Sequence, residues 1–147
     1  MVNIFVDGFL TAVHEAGHTL FSLFGWQTLT ILAGSLFQVC MPALILAYFW
    51  LNNIKAGMQF SFYLVGYSLF DVAYYVADAG LRQLPLIGNL PKSAHDWYNL
   101  LVRWNALEHD HTIALCIAGC GIIFYGMALT VPVFYQTYDS ADLNLKL

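Results

Sequence analysis

The sequence predicts an all-α fold, an integral membrane bundle of four transmembrane helices. Of its 147 residues, 60% are hydrophobic and only 10% are charged, whereas soluble domains carry about 25% charged residues. The mean hydropathy is +0.66, and four apolar stretches approach the roughly 20 residues that a membrane crossing needs. The chain has no basic stripe, which argues against nucleic acid as a partner.

The four spans are predicted at about residues 4–24, 29–51, 58–77 and 111–133, within a single membrane domain that covers residues 1–147. Polar residues follow the first two spans, at 25–28 and 52–57, and residues 136–147 are predicted to form a polar tail. The first span lacks a preceding basic segment and contains ionisable residues. We therefore expect it to remain in the mature protein and not to be cleaved as a signal peptide.

The connection between spans three and four, residues 78–110, is predicted to lie at the membrane interface. Pro85, Gly88 and Pro91 interrupt an apolar stretch, which suits a re-entrant-type loop whose backbone is covered by protein or lines a wet cavity. An interfacial amphipathic helix is predicted after that loop. Its apolar residues recur at three- and four-residue spacing: Trp97, Leu100, Leu101, Trp104 and Leu107.

The first span contains the segment His14-Glu15-Ala16-Gly17-His18, an HExxH motif. Two histidines four residues apart project from the same helix face and can share a Zn²⁺ ion, and the intervening glutamate can act as a general base on metal-bound water. Ionisable side chains are costly in hydrocarbon, so they mark functional sites there. The motif predicts a zinc cofactor held by His14 and His18, with Glu15 as the catalytic base.

Residues from three spans are predicted to meet at this site. With a rise of about 1.5 Å per residue, His14 and His18 lie roughly 15 and 21 Å from the entry face of their span, and Asp71 lies at roughly 20 Å. Gln38, in the oppositely directed second span, comes out at about mid-membrane as well. Polar groups from three helices therefore share one level, which predicts a single polar site.

The third metal ligand is left open by the sequence. Catalytic zinc uses three protein ligands and keeps one position for water, and Asp71, Asp78 and His95 are the candidates. Depth favours Asp71, whereas His95 is favoured if the Pro-containing loop dips into the bundle. Asp78 and Asp96 are then predicted to orient the ligands from outside the coordination sphere.

These motifs resemble those of intramembrane zinc metalloproteases of the site-2 protease type. That family carries HExxH in one span, Gly-Pro-x-x-Asn in the next and an aspartate ligand in a third; the corresponding segments here are residues 14–18, residues 34–38 and Asp71 or Asp78. Ser35 and Gln38 stand where the family has Pro and Asn. The match covers about the first 80 residues and implies a zinc peptidase, in which Gln38 would hold the substrate backbone or stabilise the oxyanion.

The chain also resembles a group of small bacterial membrane proteins over most of its length. They combine HEAGH with Asp-Val-Ala-x-Tyr-x-Ala-Asp-Ala, Leu-Pro-Leu-x-Gly and His-Asp-Trp, which occur here at residues 71–79, 84–88 and 95–97. The resemblance implies a bacterial inner membrane location.

Three functions are compatible with these patterns. The first is an intramembrane zinc peptidase, with membrane lipids and a membrane protein substrate as its partners. The alternative is an accessory subunit of a larger membrane protein complex that retains a structural metal or polar site. A metal or proton transporter would need a second polar layer across the membrane, for which Asp7 is the candidate. Glu15 favours the peptidase, because a structural site has no need of a general base.

Overall fold

The computed structural model describes the backbone of residues 4–144 and the side chains of residues 5–133. Three short 3-10 turns, Ile87–Asn89, Lys92–Ala94 and Leu107–His109, interrupt the connections. No β-strand occurs in the described part of the chain, so the all-α prediction is confirmed. Between residues 4 and 144, five α-helices follow in chain order: α1 Ile4–Ser22, α2 Gln27–Leu51, α3 Lys55–Ala77, α4 Asp96–Arg103 and α5 Asp110–Asn144.

The helix ends differ from the predicted limits of the spans. The first helix stops at Ser22, since the chain turns through Gly25 at a positive φ of 71°, a conformation that glycine adopts without steric cost. The last helix continues past residue 133 to Asn144, because hydropathy limits a span and does not by itself end a helix. The predicted tail 136–147 is thus helical as far as residue 144, while its side chains and residues 145–147 lie outside the described part.

The helices pack in a fixed order around α2 and α3. The second helix lies between α1 and α3, and α3 runs along α5. Glycines permit the latter approach, since a methyl group at Gly66 would press against the Tyr125 ring and the Gly121 carbonyl. The main hydrophobic core lies under the 78–110 connection, and its buried residues are Val72, Val76, Ala79, Trp97, Leu100, Leu101 and Ala114.

Among the described residues, two helical segments are long and apolar enough to cross a membrane, namely Gln27–Leu51 and Leu107–Val133. Their most apolar windows have mean hydropathies of 2.0 and 2.1, and only 28% and 17% of the residues in those windows are buried. Most of their apolar surface therefore faces outward. By length and composition, these two helices could therefore span a membrane, and a four-span bundle stays a prediction.

The 78–110 connection contains the predicted amphipathic helix in shortened form. Helix α4 buries Trp97, Leu100 and Leu101, mainly against α2. It ends at Arg103, because Asn105 adopts a positive φ of 52° and reverses the chain. Before this helix, most of residues 81–91 are exposed and irregular.

Candidate metal centre

The two histidines of the HExxH motif face α2 at Gly34, a residue without a side chain. Their ring centroids are 4.7 Å apart. A methyl group at Gly34 would collide with the Nε2 atoms of both His14 and His18, and one at Gly17 would collide with the Ala33 carbonyl. The two glycines therefore allow α1 and α2 to approach closely and leave a space in front of both imidazoles.

Asp96, at the start of α4, supplies the third group in this space. Its Oδ2 atom lies 3.3 Å from His14 Nε2 and 3.1 Å from His18 Nε2. Each of the three residues offers one ligand atom, and these atoms all lie within 4.8 Å of one another. Among the described residues this is the one group of three or more histidine, cysteine or carboxylate side chains with the spacing of a metal site.

Contacts from α2 and α3 fix the position of Asp96. Its backbone N–H donates to the Tyr75 hydroxyl at 3.1 Å, and the indole N–H of Trp97 donates to the Ser35 hydroxyl at 2.9 Å. The imidazole of His95 caps the helix by accepting the Tyr98 N–H at 3.2 Å. These bonds hold the start of α4 over the two histidines.

The hydrogen-bond network assigns the tautomers of both histidines. Nδ1 of His18 lies 2.8 Å from the Thr30 carbonyl oxygen, which can only accept, so this nitrogen carries the proton. Nδ1 of His14 likewise donates to Gln38 Oε1 at 2.9 Å. In the neutral ring the other nitrogen is then an acceptor. Both Nε2 lone pairs therefore point toward the Asp96 carboxylate.

Three acceptors that converge in this way repel one another unless protons or a cation lie between them. Zn²⁺ bound at about 2.0–2.1 Å by tetrahedral N and O ligands would hold those atoms about 3.3 Å apart, which matches the two distances to Asp96. Two imidazoles and a carboxylate also form a ligand set that zinc accepts in hydrolases. The residues present therefore fit a zinc ion.

The electrostatics of Asp96 agree with a site built for positive charge. Burial by itself would raise the pKa of this carboxyl, but when the two rings carry a second proton, their Nε2–H groups donate to Asp96 and their positive charge helps to lower its pKa to about 2. Positive charge in this space therefore favours the ionised form of Asp96, which is the form that can bind a metal ion or pair with a charged imidazole.

Gln38 contacts His14, and Asp71 contacts Gln38, but neither belongs to the three-residue group. The Gln38 amide N–H donates to Asp71 Oδ2 at 2.6 Å, and its oxygen accepts the His14 Nδ1–H. Both polar atoms of this buried amide are therefore engaged inside the protein. Asp71 is therefore linked to the His14 imidazole through the Gln38 amide and is not placed as a ligand.

His95 and Asp78 lie on the other side of Tyr75. The His95 ring is buried and packs on the Tyr75 ring with centroids 4.3 Å apart, and its Nε2 is 3.5 Å from Asp78 Oδ2. Burial lowers the pKa of this imidazole. The Asp78 carboxylate accepts the N–H groups of Gln83 and Leu84 at 2.8 and 2.9 Å. This pair therefore anchors the loop and α4 and does not enter the group of His14, His18 and Asp96.

A cavity of about 810 Å³ adjoins the candidate metal centre. Glu15 lies on it with its side chain exposed, beside His14 and His18. Apolar residues from the connection, among them Leu84, Pro85 and Leu86, also line it, and Asp7 lies along the same cavity. The Tyr67 hydroxyl donates to Asp7. A second groove of about 550 Å³, between α3 and α5, has no histidine or carboxylate in its lining.

From the sequence, Asp96 was predicted only as an outer partner, and the Thr30 carbonyl was not predicted. The adjacent His95-Asp96-Trp97 segment was the available signal for Asp96, since Trp97 begins the amphipathic pattern that docks it. No family model matches the chain, and neither a curated protein nor a solved structure is similar to it.

Proposed function

We propose that the chain is a membrane-embedded, zinc-dependent peptidase whose metal is held by His14, His18 and Asp96. The observation that carries the proposal is the convergence of three acceptor atoms, at 3.1 and 3.3 Å, with both imidazole protons engaged elsewhere. Asp96 takes the position of third ligand for which the sequence offered Asp71, Asp78 and His95.

A membrane location is supported by the distribution of exposed aromatic residues along α2. Trp26 precedes the helix and is 71% exposed, while Trp50 near its end is 56% exposed. Their separation of 24 residues corresponds to about 36 Å of helix, close to a bilayer with its interfaces. Tryptophan is enriched at both interfaces of a membrane. We therefore propose an integral membrane protein with four spans.

The depth of the site follows from Gly34, which lies against both imidazoles. It is seven residues into α2, or about 10 Å from the end that adjoins the 78–110 connection. The candidate centre would thus lie near one face of the bilayer, within reach of water. A peptide bond just inside the membrane, or close above it, is the substrate that this depth favours.

A bound zinc ion would supply a Lewis acid for the scissile carbonyl and acidify a water molecule. Glu15 follows His14 directly and faces the cavity, so its carboxylate can take a proton from the attacking water and later give it to the leaving amine. The Tyr75 hydroxyl, 3.4 Å from Asp96 Oδ2, can donate to the oxyanion. A carboxylate open to a cavity suits a catalytic site better than a structural one, which is closed.

The proposal is tested with the protein purified in detergent. We expect elemental analysis to find one zinc ion per chain, and His14→Ala/His18→Ala to lack it. Glu15→Gln should keep the metal and the fold but lose cleavage of fluorescent casein by about 10²–10⁴-fold, the contribution of a general base. Glu108→Gln is the matched control, because Glu108 is exposed at the surface beside His109.

Membrane proteomes of cells that express wild type or Glu15→Gln extend the test to native substrates. A peptidase should leave uncleaved membrane proteins in the Glu15→Gln cells. Identical processing products in both, together with equal casein cleavage, would refute the peptidase. Retained metal with intact assembly would then favour an accessory subunit of a membrane complex.

A further inference from the structure

Three side chains from three helices form a continuous hydrogen-bonded chain behind the candidate metal centre. Gln38 on α2 lies between His14 on α1 and Asp71 on α3, with bonds of 2.9 and 2.6 Å. Gln38 is only 4% exposed, and the Ser68 hydroxyl on α3 donates to its backbone carbonyl at 2.7 Å. Gln38, the middle member of this hydrogen-bonded chain, is thus buried, and the bond from Ser68 fixes its position between α2 and α3.

The direction of every bond in this chain is determined by chemistry. An ionised carboxylate only accepts, so Asp71 requires the NH₂ group of Gln38, which turns the amide oxygen toward His14. That oxygen can accept only a proton on Nδ1. One negative charge at Asp71 therefore selects a single orientation of the amide and a single tautomer of His14.

We propose that Asp71 and Gln38 are positioning residues, which act as a relay that keeps the His14 Nε2 lone pair directed at the zinc ion. The inference rests on the proposed metal site and assigns Asp71 a role outside the coordination sphere. Outer hydrogen bonds of this kind fix ring orientation and raise ligand basicity, and their loss costs about 10–100-fold in metal affinity.

The two histidine ligands differ in this respect. His18 donates to the Thr30 carbonyl, a neutral group of the main chain, whereas His14 is connected through an amide to a full negative charge. The bond between Gln38 and Asp71 ends on an ionised group, and such hydrogen bonds are about twice as strong as neutral ones. The relay therefore makes His14 the ligand whose basicity depends on a side-chain charge, and Asp71 lies on the cavity, where that charge meets solvent or substrate.

The affinity of the purified protein for Zn²⁺, measured by competition with a chromophoric chelator, tests the relay without any activity assay. We expect Gln38→Leu to weaken Zn²⁺ binding by about 10–100-fold. Asp71→Asn, which keeps an acceptor for Gln38 but removes the charge, should weaken it less, by several-fold. Asp7→Asn is the matched control, since Asp7 is a carboxylate on the same cavity that pairs with Tyr67.

The double variant Gln38→Leu/Asp71→Asn separates a relay from two independent effects. Once Gln38 is removed, the charge of Asp71 no longer reaches His14 through a bond, so the double variant should bind Zn²⁺ as weakly as Gln38→Leu alone. Multiplicative losses would overturn the relay. So would unchanged affinity in Gln38→Leu, or complete loss of zinc in Asp71→Asn, which would make Asp71 a direct ligand.

The ¹⁵N spectrum of histidine-labelled protein supplies a second measurement in the metal-free state. We expect the tautomer population of one imidazole, that of His14, to differ between wild type and Gln38→Leu, while the signal of His18 is unchanged. A wild type that binds no zinc would overturn the proposed function and the relay together. Zinc binding that is insensitive to Gln38 would overturn the relay alone.

Discussion

The Trp97 indole donates a 2.9 Å hydrogen bond to the Ser35 hydroxyl, and both groups are buried. This bond joins α4 to α2 one residue after Gly34 and one residue after Asp96. It therefore aligns the carboxylate of one helix with the gap in front of the two imidazoles. Ser35 is thus the acceptor that sets the position of α4.

The first prediction concerns the third ligand. Asp96→Asn keeps the size of the side chain but removes the charge that faces both Nε2 atoms. Zinc affinity should fall by more than about 100-fold, beyond the range for residues that only orient a ligand. Asp78→Asn should lose less than that, because Asp78 holds the loop through Gln83 and Leu84. Zinc binding by Asp96→Asn together with its loss in Asp71→Asn would show that the assignment is wrong.

The second prediction concerns the space in front of the histidines. In Gly34→Ala the new methyl group would overlap Nε2 of His14 and His18, so the rings must rotate away or α1 must move. We expect zinc content to drop to background while membrane insertion is retained. Gly119→Ala on α5 is the control, because nothing lies within 4 Å of a methyl group there. Normal zinc content in Gly34→Ala would contradict the close approach of α1 and α2.

The third prediction separates binding from catalysis at Tyr75. Tyr75→Phe keeps the ring that packs on His95 and removes the hydroxyl that contacts Asp96. Because this hydroxyl helps to position Asp96, zinc affinity should fall by about 10–100-fold. If the hydroxyl also stabilises the oxyanion, kcat for casein at saturating zinc should fall by about 10²–10³-fold. The control is Tyr74→Phe, an exposed tyrosine on the same cavity. An unchanged kcat, or a loss that added zinc restores, would remove Tyr75 from the catalytic step.

The fourth prediction concerns acid stability. Burial lowers the pKa of His95 below its usual 6.5, so the folded state binds this proton less readily than the unfolded state does. Stability is then lost as the pH falls through the unfolded value of about 6.5. We expect the unfolding temperature of metal-free protein to fall between about pH 7.5 and pH 5.5, and to fall less in His95→Gln.

His111→Gln provides the comparison for that measurement, because His111 is an exposed histidine at the start of α5. It should keep the full pH dependence of wild type. An identical decrease in wild type, His95→Gln and His111→Gln would mean that His95 does not contribute to the acid sensitivity.

The sequence by itself determined the helices and the pairing of His14 with His18. Both follow from interactions over a few residues: apolar runs of sufficient length specify helices, and a four-residue spacing brings two side chains onto one face. Equal rise along antiparallel helices also indicated that His14, Gln38 and Asp71 share a level. The ends of helices were less well predicted, because hydropathy is a property of side chains and helix ends depend on backbone conformation at residues such as Gly25 and Asn105.

Only the tertiary structure decided that Asp96 lies between the two imidazoles. This carboxylate is 78 residues from His18 in sequence, and its position depends on how an irregular connection folds back and where the Trp97 indole finds its acceptor. The same holds for the orientation of the Gln38 amide, which is set by the Asp71 carboxylate on the side away from His14. Depth along a helix can be calculated from residue numbers, because each residue adds the same rise. The path of a connection between helices cannot be calculated in that way, so the position of Asp96 was fixed by packing alone.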